Sequence, residues 1–434
     1  MNMLRRHWPW LLAFVVLLVL PFLFYDWSRG RHSGFALILL SEIGVMAIFA
    51  LSYNMLMGQA GLLSFGHAVL FGLGAYCAAH VVNMVKAGTI WLPTELVPLA
   101  GGLGGMFFGY VLGWLVTKQR ATAFAMITMG LGELVSASAL MFIAFFGGEG
   151  GINIDRVMNT SVLGVSYSSS WQVYCLVLVW AFIAAILMKL QTQTPLGSIA
   201  NATRDNFERA QFVGYDPRMV RLLQFTLSGF FAGIGGGLYV LIYEIVTFDT
   251  VSAAKSANAL LAVYIGGAGG FFGPILGTIV VVLLQSGVSL LSNAWLLYVG
   301  VLFIVMVMYA PGGLIGLIYM HMPIWRAGRL RDLLVPYARA APPALLVLVG
   351  FVFLVELASF TTIGAAQGKR FTIGGNAIDT TAPTPWVIAI GCLMLGALWL
   401  RREAQNFQQH WDELMEGAKR QALIDDAKRQ EVMA

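Results

Sequence analysis

Long apolar runs of about 20 residues alternate along this chain with short polar breaks. About 20 apolar residues in a helix cross the ~30 Å hydrocarbon core of a bilayer, whereas strands of a membrane barrel alternate apolar and polar positions. The pattern therefore predicts an all-α polytopic membrane protein with twelve spans. We expect them at 8–24, 34–56, 61–82, 97–117, 121–146, 171–190, 222–243, 253–266, 273–291, 294–310, 341–360 and 384–400.

Two of these runs need a further argument. The first follows Arg5 and Arg6 as in a secretory signal peptide, but no small-x-small cleavage site follows it, so we expect an uncleaved first span. The run at 253–266 is short for a crossing and could be broken or re-entrant. We keep it as a crossing because the later basic clusters would otherwise lie outside.

Basic residues predict the orientation, since Lys and Arg concentrate in cytoplasmic segments. With the amino terminus inside, both termini are cytoplasmic, and so is the charged tail 401–434, which we expect to form a short cytoplasmic or interfacial helix. Of the 26 Lys and Arg residues, all but seven then fall on the cytoplasmic side. The exceptions are Arg29, Arg31, Lys86, Arg156, Lys255, Lys369 and Arg370.

One long polar break, residues 190–221, interrupts the apolar pattern. Helix-breaking residues frame this segment, Pro195 and Gly197 at its beginning and Gly214 and Pro217 at its end. About three turns of one amphipathic helix fit between them. The charge pattern places this segment in the cytoplasm between spans six and seven. Such a helix is suited to being bound by a partner at the membrane surface; a solvated linker is the alternative.

Composition agrees with this class. Hydrophobic residues make up 59% of the chain and charged residues 11%, against roughly half and a quarter in globular proteins. The net charge of +5 follows the membrane topology and is no indication of nucleic-acid binding. Cys77, Cys175 and Cys392 lie in apolar stretches without CxxC spacing, so we expect buried thiols and neither a disulfide framework nor a metal site.

A glycine-rich stretch covers residues 54–76, Asn54-Met-Leu-Met-Gly-Gln-Ala-Gly-Leu-Leu-Ser64-Phe-Gly-His67-Ala and onward to Tyr76. Glycines inside a membrane segment permit close helix crossing or a local break. A break exposes backbone groups that can bind a polar solute. Helix packing alone explains any single glycine equally well.

Four elements resemble the permease subunits of bacterial branched-chain amino acid ABC importers, of the LivM type. The first is the glycine-rich stretch. The second consists of two segments, residues 130–135 (Gly130-Leu-Gly-Glu133-Leu-Val) and residues 146–152 (Phe-Gly147-Gly148-Glu-Gly-Gly-Ile). The third is 264–277, containing Gly266, Gly267, Gly273 and Pro274, where Gly270-Phe271 replaces the commoner Thr or Ser. The fourth is the 195–215 loop.

The resemblance covers about residues 34–318 and implies the ten-helix fold of type II-like importers. We therefore divide the chain into a first transmembrane helix (1–33), a permease core (34–318) with the loop 190–221, a basic linker with two extra transmembrane helices (319–400), and the tail (401–434). The two extra helices at 341–400 are not explained by the resemblance.

The resemblance also implies that the 190–221 loop contains the coupling helix that contacts the ATPases. We assign Arg204 and Arg209 to pairing with acidic groups on the ATPase and Phe207 and Phe212 to apolar anchoring. For each arginine, membrane orientation alone is the alternative. The complete set of expected coupling residues is Gly197, Arg204, Asp205, Asn206, Phe207, Glu208, Arg209, Ala210 and Gly214.

The chain has no Gly-x-x-x-x-Gly-Lys-Ser/Thr phosphate loop and no large predicted exterior segment. In the importer hypothesis it is therefore no enzyme and binds no cofactor: partner ATPase subunits hydrolyse ATP, and a periplasmic binding protein captures the solute. A second homologous permease subunit and the lipid bilayer of the inner membrane complete the expected partners.

Ionisable residues at membrane depth are functional candidates, since an unpaired charge there costs at least ~2–3 kcal/mol. Glu42, His67, Glu133 and Glu356 qualify. For His67 we favour a hydrogen bond to a neighbouring helix over solute contact, and for Glu133 an interhelix hydrogen bond. The expected pathway residues are Ser64, His67, Gly266 and Gly267, and the expected structural residues are Glu133, Gly147, Gly148, Gly273 and Pro274.

Two other classes compete with the importer. An ion-coupled secondary transporter of small polar solutes also uses glycine-broken helices, and Glu133 with Glu42 could form its proton site. A membrane enzyme is disfavoured because the histidines are scattered and neither HExxH nor GxSxG occurs. The resemblance implies branched-chain amino acids as substrates, but related permeases carry urea, amides or aromatic acids, so the substrate stays open among these.

Overall fold

The computed structural model describes residues 2–26, 31–119, 121–157, 161–162, 164–290, 292–364, 372–373, 376–377, 380 and 382–433. Arg29, Arg120, Lys369 and Arg370, which entered the charge analysis, lie outside these residues. Within them, nine helices are long and apolar enough to cross a membrane, or ten if one bent pair is a single span. The all-α polytopic class is confirmed.

Helices dominate the described residues. They are α1 (Asn2–Val19), α2 (Gly34–Asn54), α3 (Ala68–Lys86), α4 (Val97–Val116), α5 (Ala121–Met141), α6 (Ile143–Phe146), α7 (Ser170–Thr192), α8 (Pro195–Asp205), α9 (Phe207–Phe212), α10 (Pro217–Tyr243), α11 (Ala253–Gly266), α12 (Gly273–Val282), α13 (Trp295–Tyr309), α14 (Gly313–Arg326), α15 (Leu334–Ser359) and α16 (Pro383–Met433).

Short antiparallel strand pairs lie between some of the helices. They are β1 (Tyr25–Asp26) with β2 (Arg31–His32), β3 (Ile152–Asn153) with β4 (Ile245–Val246), and β5 (Thr372–Ile373) with β6 (Asn376–Ala377). π-helical turns extend α2 over Met55–Gln59 and follow α12 at Leu283–Gly287. The bent pair is α13 and α14, at 43°.

Polar side chains fix where several of the helices begin. The side-chain oxygens of Ser33, Ser169, Asp216 and Ser252 accept backbone N–H groups in the first turns of α2, α7, α10 and α11. Ser, Asp and Asn are preferred at this position because they satisfy a donor that has no partner within the helix. The predicted runs therefore become helices with defined starts.

Residues 1–286 and 302–315 form one compact unit, called unit 1 here. Helix α10 packs against α2, α3 and α4. Its contact with α4 is made of glycines: a Cβ at Gly105 would overlap the backbone oxygen of Gly229, and one at Gly233 would overlap that of Gly101. Glycines at these positions let the two backbones approach directly, as small residues do between membrane helices.

Residues 287–301 and 316–434 form a second compact unit, unit 2. Within it α15 and α16 pack side by side, with the backbone of Gly350 close to Leu393 and that of Gly396 close to Val347. The predicted tail helix is the continuation of α16, because no helix-stopping residue separates the apolar run from the charged tail. Leu414 of this continuation packs with Ile324 and Leu333.

Candidate functional site

The loop expected to contain one coupling helix contains two helices, α8 and α9. Asn206 separates them with an extended backbone (φ −154°, ψ 103°), and its side-chain oxygen accepts the Arg209 N–H at 2.9 Å. The prediction of a single three-turn helix is wrong, because Asn206 caps a new helix where the sequence pattern appeared continuous. The second helix ends before Gly214, whose φ of +95° suits a residue without a side chain.

Helix α9 presents an exposed surface of mixed chemistry. The Phe212 side chain is 89% exposed and Val213 is 70% exposed, while Glu208 and Arg209 are exposed beside them. We call Glu208, Arg209, Phe212 and Val213 the α9 surface. Exposed large apolar residues framed by charges are typical of a protein interaction site.

Other members of the predicted coupling set are internal supports. Ala210 is buried, and a Cβ at Gly197 would overlap the backbone of Gln191 and Thr192. The Phe207 ring lies 4.8 Å below the guanidinium of the buried Arg221. Phe207 is thus engaged within the chain, whereas Phe212 is the exposed one of the two phenylalanines.

Arg204 connects α8 to the glycine-rich stretch. Its Nη1 donates to the carbonyl oxygen of Gly58, and its aliphatic part lies against Gly61, where an added Cβ would come 2.6 Å from its Cγ. Its Nε donates to Asp205 at 2.9 Å. The resemblance implied that Arg204 pairs with a partner protein; in the structure its guanidinium binds its own chain. Arg209 is also exposed, and its side chain belongs to the α9 surface.

The predicted break in the glycine-rich stretch is present. After the π-turn Met55–Gln59 the chain leaves the helix at residues 61–64, with Gly61 at φ +67°, and re-enters a helix at Ala68. His67 is fully buried at this re-entry, and its Nε2 lies 3.0 Å from the hydroxyl of Ser52 on α2. The hydrogen bond to a neighbouring helix that we favoured for His67 is formed.

Buried polar atoms without a hydrogen-bond partner gather along this break. Of the twelve such atoms found in the described residues, five lie here: Tyr53 Oη, Asn54 Oδ1, Gln59 Oε1, Ser64 Oγ and His67 Nδ1. Unpaired buried polar atoms are rare and costly, so such a group indicates a place where water or a solute is accommodated. Two of the four predicted pathway residues, Ser64 and His67, belong to it.

The other two predicted pathway residues, Gly266 and Gly267, lie at the turn between α11 and α12. Backbone packs on backbone here: a Cβ at Gly266 would overlap the carbonyl group of Gly273, and one at Gly267 that of Gly312. Pro274 lies in the first turn of α12, where a missing N–H is tolerated. The same turn reaches the break, since a Cβ on Gly58 would come 2.7 Å from Ala268 O.

The β3–β4 pair lies at the opposite end of unit 1. One end of α3 adjoins the break beside α8, and at the other end Lys86 pairs with Asp155 at 3.5 Å, so the length of α3 separates the two regions. The expected structural residues Gly147 and Gly148 form a turn here, with φ values of +76° and +66°.

Arg156 fastens this end of unit 1 to α10. It donates to the carbonyl oxygens of Tyr167, Leu241 and Ile242 at 2.8–3.1 Å and lies 3.7 Å from the Glu244 carboxylate. Burial, with a smaller effect from a neighbouring carboxylate, raises the pKa of Tyr167 to about 12. The phenol therefore remains neutral at ordinary pH and acts as a hydrogen-bond donor.

The intramembrane glutamates have different surroundings. Glu42 accepts a hydrogen bond from Ser286 at 3.2 Å, and Glu356, in unit 2, accepts one from Tyr298 at 2.7 Å. Glu133 is exposed on α5, and no hydrogen bond reaches it from the described part of the chain. The interhelix hydrogen bond expected for Glu133 is therefore not formed within those residues.

Sequence analysis missed the glycine row of α4 and α10 and the anchoring role of Arg156. Glycines at 101, 105, 109 and 113 and at 229, 233 and 237 repeat every four residues, one helical turn apart, and this repeat was the available signal. No sequence signal indicated the role of Arg156, because its partners are backbone carbonyl groups of residues far away in the sequence.

Comparisons with known proteins agree with these features. The family described as "Branched-chain amino acid transport system / permease component" matches residues 35–310. LivM, the high-affinity branched-chain amino acid transport system permease protein of Escherichia coli K12, is 27% identical over 294 residues, or 62% of this chain and 68% of that protein.

More distant relatives were also found. A probable LivM of Methanocaldococcus jannaschii is 22% identical over 63% of this chain and 90% of its own length, and LivH of Escherichia coli K12 is 21% identical over 58% and 82%. No solved structure gave a significant match.

Proposed function

We propose a function from one premise: the chain belongs to the branched-chain amino acid transport permease family of ABC transporters. It is the membrane pathway subunit of an ATP-driven importer in the bacterial inner membrane. It passes branched-chain or related amino acids, received from a periplasmic binding protein, to the cytoplasm. ATP is hydrolysed by partner subunits that bind the α9 surface.

The observation that carries this proposal is the connection from the α9 surface to the helix break. Phe212 and Arg209 of α9 are exposed and can contact a partner. The Asn206 cap joins α9 to α8. Arg204 of α8 in turn binds the carbonyl oxygen of Gly58 at the break. A displacement of α9 by a partner is thus transmitted over a few rigid contacts to the segment with the unpaired polar atoms.

The break suits a zwitterionic solute. Asn54 and Gln59 offer unpaired carbonyl oxygens that accept from an ammonium group, while Ser64 and Tyr53 offer hydroxyls. No fixed charge is needed among them, and neutral groups release a solute more readily than a full ion pair does. Gly266 and Gly267, with their close backbone packing, form one boundary of the same region.

A second permease subunit explains the exposed face of α5. Glu133 is exposed on this helix together with Met126, Met129 and Leu134. An unpaired carboxylate facing lipid is unfavourable by at least ~2–3 kcal/mol, so a protein partner or a water-filled path covers this face. We assign the face to the second subunit.

Reconstitution tests the proposal. We expect proteoliposomes with this chain, its partner permease, the ATPases and the binding protein to accumulate labelled leucine only with ATP, and omission of the ATPases to abolish uptake. Accumulation by the purified chain alone, driven by a proton or sodium gradient, would refute the proposal and support the secondary transporter.

A further inference from the structure

An apolar cavity of about 310 Å³ lies in unit 1 between α1, α2, α7 and α12. None of its lining residues is charged. It follows α7 from Tyr174 to Ala185 and α2 from Leu40 to Leu51, which corresponds to about 16 Å at 1.5 Å per residue. One leaflet of a bilayer contributes about half of the ~30 Å hydrocarbon core. The cavity thus has the length of one leaflet.

One end of this cavity carries a positive charge. Lys189 follows Ala185 by one turn of α7, and its Nζ lies 5.1 Å from the centroid of the Phe271 ring. Phe271 in turn packs edge-on against Trp10, a lining residue, at 6.5 Å between centroids. The ammonium group therefore stands beside the Trp10 end of the cavity. In the sequence, Arg5 and Arg6 precede Trp10 by about one helical turn.

We propose that the cavity binds one acyl chain of an anionic phospholipid, whose phosphate lies at Lys189. An elongated, uncharged cavity excludes a zwitterionic amino acid, which needs polar partners, but accepts a hydrocarbon chain. Basic groups beside crevices between membrane helices bind anionic headgroups. Charge and shape thus both select this class of lipid, and the site lies apart from the helix break.

Native mass spectrometry of the full-length chain tests the headgroup. We expect retention of dioleoyl phosphatidylglycerol to exceed that of dioleoyl phosphatidylcholine about five-fold, the factor that one basic residue contributes beside an anionic lipid. Lys189→Gln should remove this preference. Lys118→Gln is the matched control. The Lys118 ammonium also lies over an aromatic ring, 4.3 Å from the centroid of the Trp114 ring, but it does not adjoin the cavity.

Cavity-filling variants test the chain site. Ala13→Phe and Ala47→Phe place a ring in the cavity, and we expect retention of either lipid to fall roughly ten-fold as buried methylenes are displaced. Val179→Phe, on the exposed face of α7 outside the lining, should leave retention unchanged. Ala13 lies on the peripheral α1, so its variant remains informative if Ala47→Phe does not fold.

Two results would overturn the proposal. Unchanged phosphatidylglycerol retention in Ala13→Phe would refute the acyl-chain site. Equal loss of preference in Lys189→Gln and Lys118→Gln would show a general charge effect and refute the headgroup position.

Discussion

Arg204 illustrates how one side chain can join two segments that are far apart in the sequence. It binds the carbonyl oxygen of Gly58 and packs on Gly61 at the helix break, while its neighbour Asp205 holds the guanidinium in place. A π-turn leaves carbonyl groups without the usual helical partner, and a guanidinium offers five donors to satisfy them. We therefore propose that Arg204 is a positioning residue between the loop and the helix break.

Replacing Arg204 by Ala should separate ATPase binding from transport. The α9 surface stays intact, so the ATPases should still co-purify with the variant, while leucine uptake per ATP hydrolysed falls in proteoliposomes. Arg218→Ala is the control, since Arg218 is an exposed arginine of the same loop that lies 5.8 Å from the Trp114 ring and away from the break. Normal uptake per ATP in Arg204→Ala would contradict this role.

Charge reversal at Arg209 should act earlier, at the docking step. Arg209→Glu places a like charge before the acidic groups that we assign to the ATPase, and such a reversal costs several kcal/mol at an interface. We expect uptake to fall at least roughly ten-fold with unchanged membrane insertion, and co-purification of the ATPases to fall with it. Unchanged transport would exclude Arg209 from the interface.

The contact between α4 and α10 illustrates the element scale. Its glycines allow backbone carbonyls and Cα atoms of the two helices to meet, so the pair forms the rigid centre of unit 1. Close packing of this kind leaves no room for a methyl group, and enlarging a residue in a packed interior costs roughly 1–3 kcal/mol.

Gly105→Ala should therefore lower the thermal stability of the chain in detergent. The added Cβ would overlap the backbone oxygen of Gly229, so one helix must move away. Gly130→Ala on α5 is the matched control, because no atom outside its own helix lies within 4 Å of a Cβ there and Ala is the better helix former. Equal unfolding midpoints for the two variants would show that the glycine contact adapts without strain.

Sequence patterns predicted those elements whose signals are local. Apolar runs gave the helices, and the glycines around Gly58 and Gly61 gave the break. The division of the loop at Asn206 was missed, because an asparagine inside a polar helix pattern resembles a surface residue until its cap geometry is seen. The Arg204 contact could not be predicted, since it joins residues 146 positions apart.

Glu133 is a residue whose partner cannot be identified from this chain alone. Its position at membrane depth predicted an interhelix hydrogen bond, yet its helix face is exposed. The partner that we propose for this face belongs to another polypeptide, so neither the sequence nor the fold of this chain contains it.

At the scale of the whole molecule, we assign solute passage to this chain and ATP hydrolysis to partner chains. We propose that this polypeptide provides the conduit, with unpaired polar atoms at the break near α8 and a β3–β4 pair held by Arg156 at the other end of unit 1. In our proposal, the energy of ATP hydrolysis enters through the α9 surface from another chain. Unit 2, with its α15–α16 pair, contains none of the residues that we assign to this route.

Accessibility of Val213 is the most direct test of this account. In a variant with Cys77, Cys175 and Cys392 replaced by Ser, Val213→Cys exposes one thiol on the α9 surface. We predict that an impermeant maleimide labels it in inside-out vesicles and not in right-side-out vesicles, and that bound ATPase subunits block the labelling. Labelling from the periplasmic side, or labelling unchanged by the ATPases, would contradict the account.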